Sequence, residues 1–249
     1  VLADGQPRQM GAVVADPEKA GLIAARAQDA HWARTAQGKG EVFRLPLVSK
    51  LALLALIKFA TRDPYGMGIQ MEAGKPGWYD ALNGLPGLFG SSMPETYELL
   101  RLVQSLEHTL DDFPQAVPLP VEVRVLLDAI RAMPEFKPGV LDYWDHLSSA
   151  LETYRAAVRL GFDGATLSID LCEDLALMGR HLEAGIARAR TFNQALAPTY
   201  FTFDVTDYDL LEGSEGNGHP LVVVKEFQPR PLPPFLEGPV RQMKISSLQ

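Results

Sequence analysis

The chain has 249 residues and a formal net charge of −8, with 47% apolar and 22% charged residues, enough for one large domain or two small ones and ordinary for a soluble globular protein. The acidic balance argues against a nucleic-acid footprint, which would need a basic face, while an uncharged polymer such as a glycan is compatible with it. The single cysteine, Cys172, has no internal disulfide partner, which points to a reducing, cytoplasmic compartment; in its helical surroundings it reads as a packing residue.

In chain order, residues 17–36 read as a first helical run between Gly-rich joints, and 46–61 as a strong apolar helix. Its apolar core, Leu51–Ala60, is interrupted by Lys58 and is far shorter than the ~20 residues a membrane span needs, so no membrane partner is expected. Periodicity is lost from Arg62 to Pro94. A stretch this long without regular structure is uncommon in a compact domain and is usually functional or disordered, and its recurring aromatics and leucines argue against disorder. Ser92-x-x-Glu95 has the capping-box form, with Pro94 in the first turn. It opens a helix to Leu110 that places Leu99, Leu100, Val103 and Leu106 on one stripe. Further helices are predicted over 121–132, 140–160 and 168–195. At Pro198 the period changes to two: YFTFDVTDYDLL (200–211) and HPLVVVKEF (219–227) flank GSEGNG, a β-hairpin pattern. QPRPLPP (228–234) follows as an extended connection. Such helices with short joints suit a helical bundle or an α/α toroid. The chain opens on Val1 and stops at Gln249 soon after the Pro-rich connection, so we expect part of a longer protein.

The unusual chemistry converges on 74–95. Its glycines permit close backbone approach to a ligand. Trp78 and Tyr79 offer flat faces for sugar stacking with polar edges for hydrogen bonds, and Asp80 follows them directly. Asn83 adds an amide donor and acceptor. Glu95 stands at a helix start, where the dipole favours negative charge. Inverting glycosidic cleavage needs a protonated carboxyl to donate to the leaving oxygen, and apolar surroundings raise a carboxyl's pKa to keep it protonated. The plain alternative is a structured connector in which Asp80 caps the following turn.

Other clusters read more simply. Tyr143-Trp144-Asp145-His146 is core with one hydrogen-bonded histidine, or else a sugar subsite wall. His31-Trp32 is a weaker version of the same, and His181 lies in a charged helix as a solvated residue. No two histidines have metal-ligand spacing, so no metal site is expected. Lys75, Arg230 and Arg241 are the cations to test for phosphate. Glu237 is the candidate second carboxylate that a hydrolase would require to activate water.

The run KPGWYDALNGLPGLFGSSMPETYEL resembles the loop of the cellobiose-phosphorylase family in which W-N-D-x-x-N carries the acid and a later Glu-Ser or Glu-Thr pair starts a helix. Trp78, Asp80 and Asn83 match the first pattern and Glu95-Thr96 the second, while Tyr79 stands where the family usually has Asn. The resemblance implies an all-α fold forming part of an (α/α)6 barrel. Residues 1–197 would be its helical catalytic segment, and 198–249 a β-hairpin and Pro-rich connection toward a further part. It implies inverting phosphorolysis of β-glucosidic bonds in an oligosaccharide. Asp80 would be the general acid, Trp78 and Tyr79 a subsite wall, and Asn83 and Glu95 would hold sugar hydroxyls or orient the acid. Inorganic phosphate would be the co-substrate, with no other cofactor. The family's phosphate-binding residues have no recognisable counterparts here, and the chain supplies about half of the helices in such a barrel, so the rest of a longer chain or a second subunit is expected to complete it. Two further readings stay open: an inverting hydrolase, and a non-catalytic glycan-binding segment.

Overall fold

The computed structural model describes residues 15–71, 90–138, 141–193, 196–216, 219–233 and 236–246. Along them run α1 (Pro17–Ala24), α2 (Leu47–Ala60), β1 (Ile69–Gln70), β2 (Gly90–Ser92), α3 (Met93–Asp112), β3 (Val117–Pro120), α4 (Arg124–Arg131), α5 (Asp142–Ala157), β4 (Thr166–Ile169), α6 (Cys172–Arg190), β5 (Tyr200–Gly216), β6 (His219–Pro231) and α7 (Glu237–Ser246).

The amphipathic stripe of α3 places it at the centre, with α2, α6 and α7 all packed on it. Tyr97, Leu100, Val103 and Leu106 are buried along its length, each removing apolar surface worth about 1.5–3 kcal/mol. The helix starts where the sequence places it: the Ser92 hydroxyl accepts the Glu95 N–H at 3.4 Å. The reciprocal half of a capping box is not made, because the Glu95 carboxylate turns outward to Lys58 at 2.9 Å. On α2, Ala52, Ala55, Leu56 and Phe59 face inward. No helix among the described residues is long and apolar enough to cross a membrane.

The all-α expectation, and the (α/α)6 barrel with it, is overturned. An antiparallel sheet of order β1-β2-β5-β6 and a two-stranded sheet β3-β4 accompany the helices, so the fold is mixed. The hairpin is present where the period-two pattern puts it, but it does not stand apart. Gly90↔Thr202 and Ser92↔Tyr200 pair β2 with β5, which carries the sheet onto strands from both sides of residue 197. The inward side chains Phe201, Phe203 and Phe227 complete the core. Past Val205, register shifts break the β5–β6 ladder, and Tyr208 and Leu210 are exposed. Bulges of this kind re-aim side chains and add twist.

Two helix predictions shorten for local reasons. Residues after Ala24 leave the helix because the Arg26 guanidinium gathers the carbonyls of Ala30, Trp32 and Gly38, folding the segment on itself. The predicted helix from 168 begins instead at Cys172, whose N–H is taken by the Asp170 carboxylate at 3.0 Å. The preceding Thr166–Ile169 pairs with β3. Cys172 is exposed rather than packed, because it sits on the outer side of the first turn of α6.

Candidate functional site

Residues 61–71 form a turn on which several elements converge. Asp63 is fully buried. One carboxylate oxygen accepts the N–H groups of Tyr65 at 2.9 Å and Met67 at 3.0 Å. The other accepts the Gly68 N–H at 2.6 Å and the Ser91 hydroxyl at 2.8 Å. Desolvation pushes the Asp63 carboxyl above its ordinary range, and these four donors pull against it. All four bonds are ones that a carboxylate accepts and a carboxylic acid satisfies less well.

The carbonyls of the same turn are claimed from outside it. Arg188 of α6 donates to Tyr65 O at 2.8 Å, and Thr96 of α3 to Met67 O at 2.9 Å. Tyr65 in turn donates its hydroxyl to Phe227 O on β6 at 2.6 Å. Gly66 takes the left-handed conformation, with φ of 62°, which glycine adopts at no steric cost. Buried Arg62 lies over the Phe59 ring, 3.7 Å from its centroid. The turn delivers the chain to β1, where Met71 N–H donates to Gly90 O at 3.0 Å. Segment 72–89 therefore leaves and rejoins the described structure at two hydrogen-bonded points.

A cleft of about 410 Å³ opens beside those points, lined by Met71 and Ser92 as well as residues of α2, α3, β5 and α7. Its apolar surface comes from Leu54, Leu99 and Leu102, and its polar groups are Lys58, Glu95, Glu98, Tyr200, Glu237 and Arg241. The Tyr200 hydroxyl donates to Glu237 at 2.8 Å. Arg241 reaches Glu98 at 2.5 Å, and Arg101 reaches the same carboxylate at 2.7 Å. Desolvation pushes Glu98 up, but Arg241, Arg101 and Lys244 outweigh it and leave its carboxyl below the ordinary range. Tyr97–Gln242, at 3.2 Å, anchors the helix that carries Glu237 and Arg241 to α3.

The cleft gathers three residues singled out in the sequence, Glu95, Glu237 and Arg241, from positions far apart in the chain. Asp80, Trp78, Tyr79, Asn83 and Lys75 lie outside the described residues. Arg230 is not in the cleft: it pairs with Asp204 across the hairpin. Tyr143 and Trp144 are core residues, and His146 bonds Ala129 O at 3.0 Å. Sequence reading missed Asp63, Lys58, Glu98 and Tyr200. Only Asp63 carried a signal, an Asp-Pro step before Tyr-Gly that reads as a turn start.

His181 is half-buried against Phe59, with ring centroids 6.4 Å apart, rather than solvated. Desolvation, then Arg62, Arg180 and Arg188, pull its pKa down from 6.5 to about 4. Above pH 6.5 the ring is neutral in the folded and unfolded chain alike. Between 6.5 and about 4 the unfolded chain takes up a proton that the folded chain declines, so stability falls as pH falls and levels off below. After allowance for solvent screening of a half-buried ring, the loss is about 1–2 kcal/mol. Urea unfolding at neutral pH and again near pH 4 should show His181→Gln losing that much less than the parent; equal losses would place the pH dependence elsewhere.

A larger cavity of about 680 Å³ is bounded by Arg131, Asp170, Glu173, Asp174 and Arg180. Arg131 is committed there to a two-pronged pair with buried Asp174, at 2.7 and 2.8 Å. No cluster of three or more His, Cys, Asp or Glu able to hold a metal is present among the described residues. Compared with models of protein families the chain matches none, and no curated protein matches it either.

Proposed function

We propose that this chain is a carbohydrate-active segment that performs inverting phosphorolysis of β-glucosidic bonds, with Asp80 as the general acid. The observation that carries the reading is the cleft beside the ends of segment 72–89. It combines an apolar wall with carboxylates and a tyrosine hydroxyl, the groups that sugar C–H faces and hydroxyls call for. Of the matched residues of the resembling motif, Glu95 and Thr96 lie among the described residues; Thr96 is buried, and Glu95 faces this cleft together with Glu237 and Arg241. In this reading Asp80 protonates the glycosidic oxygen while phosphate attacks the anomeric carbon from the opposite face. Trp78 and Tyr79 stack on the sugar, and Asn83 and Glu95 hold hydroxyls or orient the acid. The test is sugar-1-phosphate release from β-gluco-oligosaccharides; turnover that needs no phosphate would sink it.

A second reading, inverting hydrolysis, has one observation in its favour. The cleft holds Glu95, Glu98 and Glu237 against Lys58 and Arg241, and both cations are already paired with carboxylates, which disfavours an incoming anion. Glu237 would then be the base that activates water. Glu237→Gln should lower phosphate-free reducing-sugar release by about 10²–10⁴-fold in that case, and should leave sugar-1-phosphate release within a few-fold if phosphate is the nucleophile.

A further inference from the structure

We propose that the cleft between α2, α3 and α7 takes a neutral glycosyl unit, and that Glu98 sets its selectivity against anionic sugars. This inference rests on the carbohydrate reading above, but not on which residue is the acid. Each of the three helices lines the cleft with residues four apart, which share a face: Leu54 and Lys58 of α2, Glu98 and Leu102 of α3, and Glu237 and Arg241 of α7. The polar groups stand in donor–acceptor pairs. Lys58 donates to Glu95 at 2.9 Å, Tyr200 to Glu237 at 2.8 Å and Arg241 to Glu98 at 2.5 Å. Each pair has capacity left over. Among the described residues, Arg241 spends only Nη1 on Glu98, and Glu237 accepts with only one carboxylate oxygen. A sugar hydroxyl both donates and accepts. Neighbouring hydroxyls of one ring can therefore meet a guanidinium N–H and a carboxylate oxygen together, while the leucines take the ring's C–H surface.

An anionic sugar needs something else, a cation whose charge is not already cancelled. Among the described lining residues the carboxylates Glu95, Glu98 and Glu237 face only Lys58 and Arg241, and both cations are paired. Glu98 is the residue that withholds Arg241 from an incoming anion. Its Oε1 accepts from Arg241 and its Oε2 from Arg101 at 2.7 Å, and Lys244 stands 3.9 Å from Oε1. Arg101 and Lys244 reach this carboxylate from outside the cleft lining. One side chain thus answers three cations, and its loss would uncover all three beside the ligand. Selectivity of this kind comes from denying the wrong ligand its counter-charge as much as from contacts to the right one.

The probes are an S-linked β-glucose disaccharide, which resists cleavage, and its counterpart with a C6 carboxylate on one ring. Calorimetric titration at neutral pH gives Kd for each. The parent is expected to bind the neutral probe about tenfold more tightly. Glu98→Gln should bring the anionic probe level with the neutral one or ahead of it, a change of about tenfold or more in the ratio of the two Kd values. Raising the salt to ~0.5 M should cancel that gain, because it is electrostatic, while the neutral probe's Kd stays within about twofold. Arg101→Gln, which touches Glu98 from outside the lining, should keep the parental preference. Arg241→Gln removes the withheld cation itself and gives an independent reading: the neutral probe should bind about tenfold more weakly and the anionic probe no better than to the parent. The assignment is overturned by a Glu98→Gln chain that keeps the parental ratio, by an Arg101→Gln chain that loses it, by anionic binding gained in Arg241→Gln, or by a parent that binds both probes equally. All four of those results leave the carbohydrate reading standing. A parent that binds neither probe overturns that reading and this inference together.

Discussion

Asp80→Asn is expected to lower sugar-1-phosphate release by about 10²–10⁴-fold, the contribution of a well-placed general acid. The substitution keeps shape and hydrogen-bonding capacity but leaves no proton to donate to the departing glycosidic oxygen, so KM should change little. A substrate with an activated leaving group, such as an aryl glucoside, needs less protonation and should recover much of the loss. That recovery separates failed acid catalysis from failed binding. If Asp80→Asn retained parental turnover on unactivated oligosaccharides, the acid would have to be sought elsewhere, first at Glu95 and Glu237 in the cleft. If sugar bound equally well to parent and variant and neither turned over in any buffer, the chain would be a glycan-binding segment.

The second large effect concerns α6. Gly185→Ala would place a Cβ 2.0 Å from the carbonyl oxygen of Gly66, a backbone atom of the turn that leads to β1. That turn has little freedom to retreat, since Asp63, Arg188, Thr96 and Tyr65 each fasten it to a different element. Alanine is the better helix former by about 1 kcal/mol, but overpacking against fixed backbone costs 1–3 kcal/mol or more, so the clash wins. A net loss of about 2 kcal/mol is expected, lowering Tm by roughly 4–8 °C in a chain of this size. Gly179→Ala is the control on the same helix. Its added Cβ would meet nothing closer than 3.9 Å, so propensity acts unopposed and stability should rise by about 0.5–1 kcal/mol. Differential scanning calorimetry of the pair should give shifts of opposite sign; a stabilising Gly185→Ala would mean that α6 does not approach the turn this closely.

The legible parts of the fold were those in which a single element carries its own signal. Helix α3 was readable because Ser92, Pro94 and the Leu99–Leu106 stripe all act within one stretch of chain. The β5–β6 hairpin was readable because period-two alternation brackets a Gly-rich tip. Strands β1 and β2 were not: Ile-Gln and Gly-Ser-Ser have no pattern to detect, and β2 is a strand because β5 offers its edge to it, β1 because it pairs with β2 in turn. The prolines of β3 argue against a strand, yet in a two-stranded sheet each strand has an open edge on which a missing N–H costs nothing. The fold-class error followed from these omissions, since a hairpin alone leaves an all-α reading intact while a hairpin joined to β2 does not. His181 was misjudged for a similar reason. Charged neighbours in sequence suggested water, but Phe59 and three arginines surround the ring in space.

For the candidate site the division is sharper. Residue chemistry alone nominated Glu95, Glu237 and Arg241, because carboxylates and a guanidinium beside Gly- and Pro-rich breaks stand out from helix and strand patterns. Their convergence on one cleft depends on α7 docking against α3 through Tyr97 and Gln242, a contact between residues more than a hundred positions apart that no local spacing encodes. Asp63 shows the same limit. By sequence it is an Asp before Pro, an ordinary turn residue. Its burial, its four donors and its tie to Ser91 exist only once β1, β2 and the turn are packed beneath α3 and α6, because only the folded chain excludes the water that would otherwise satisfy that carboxylate.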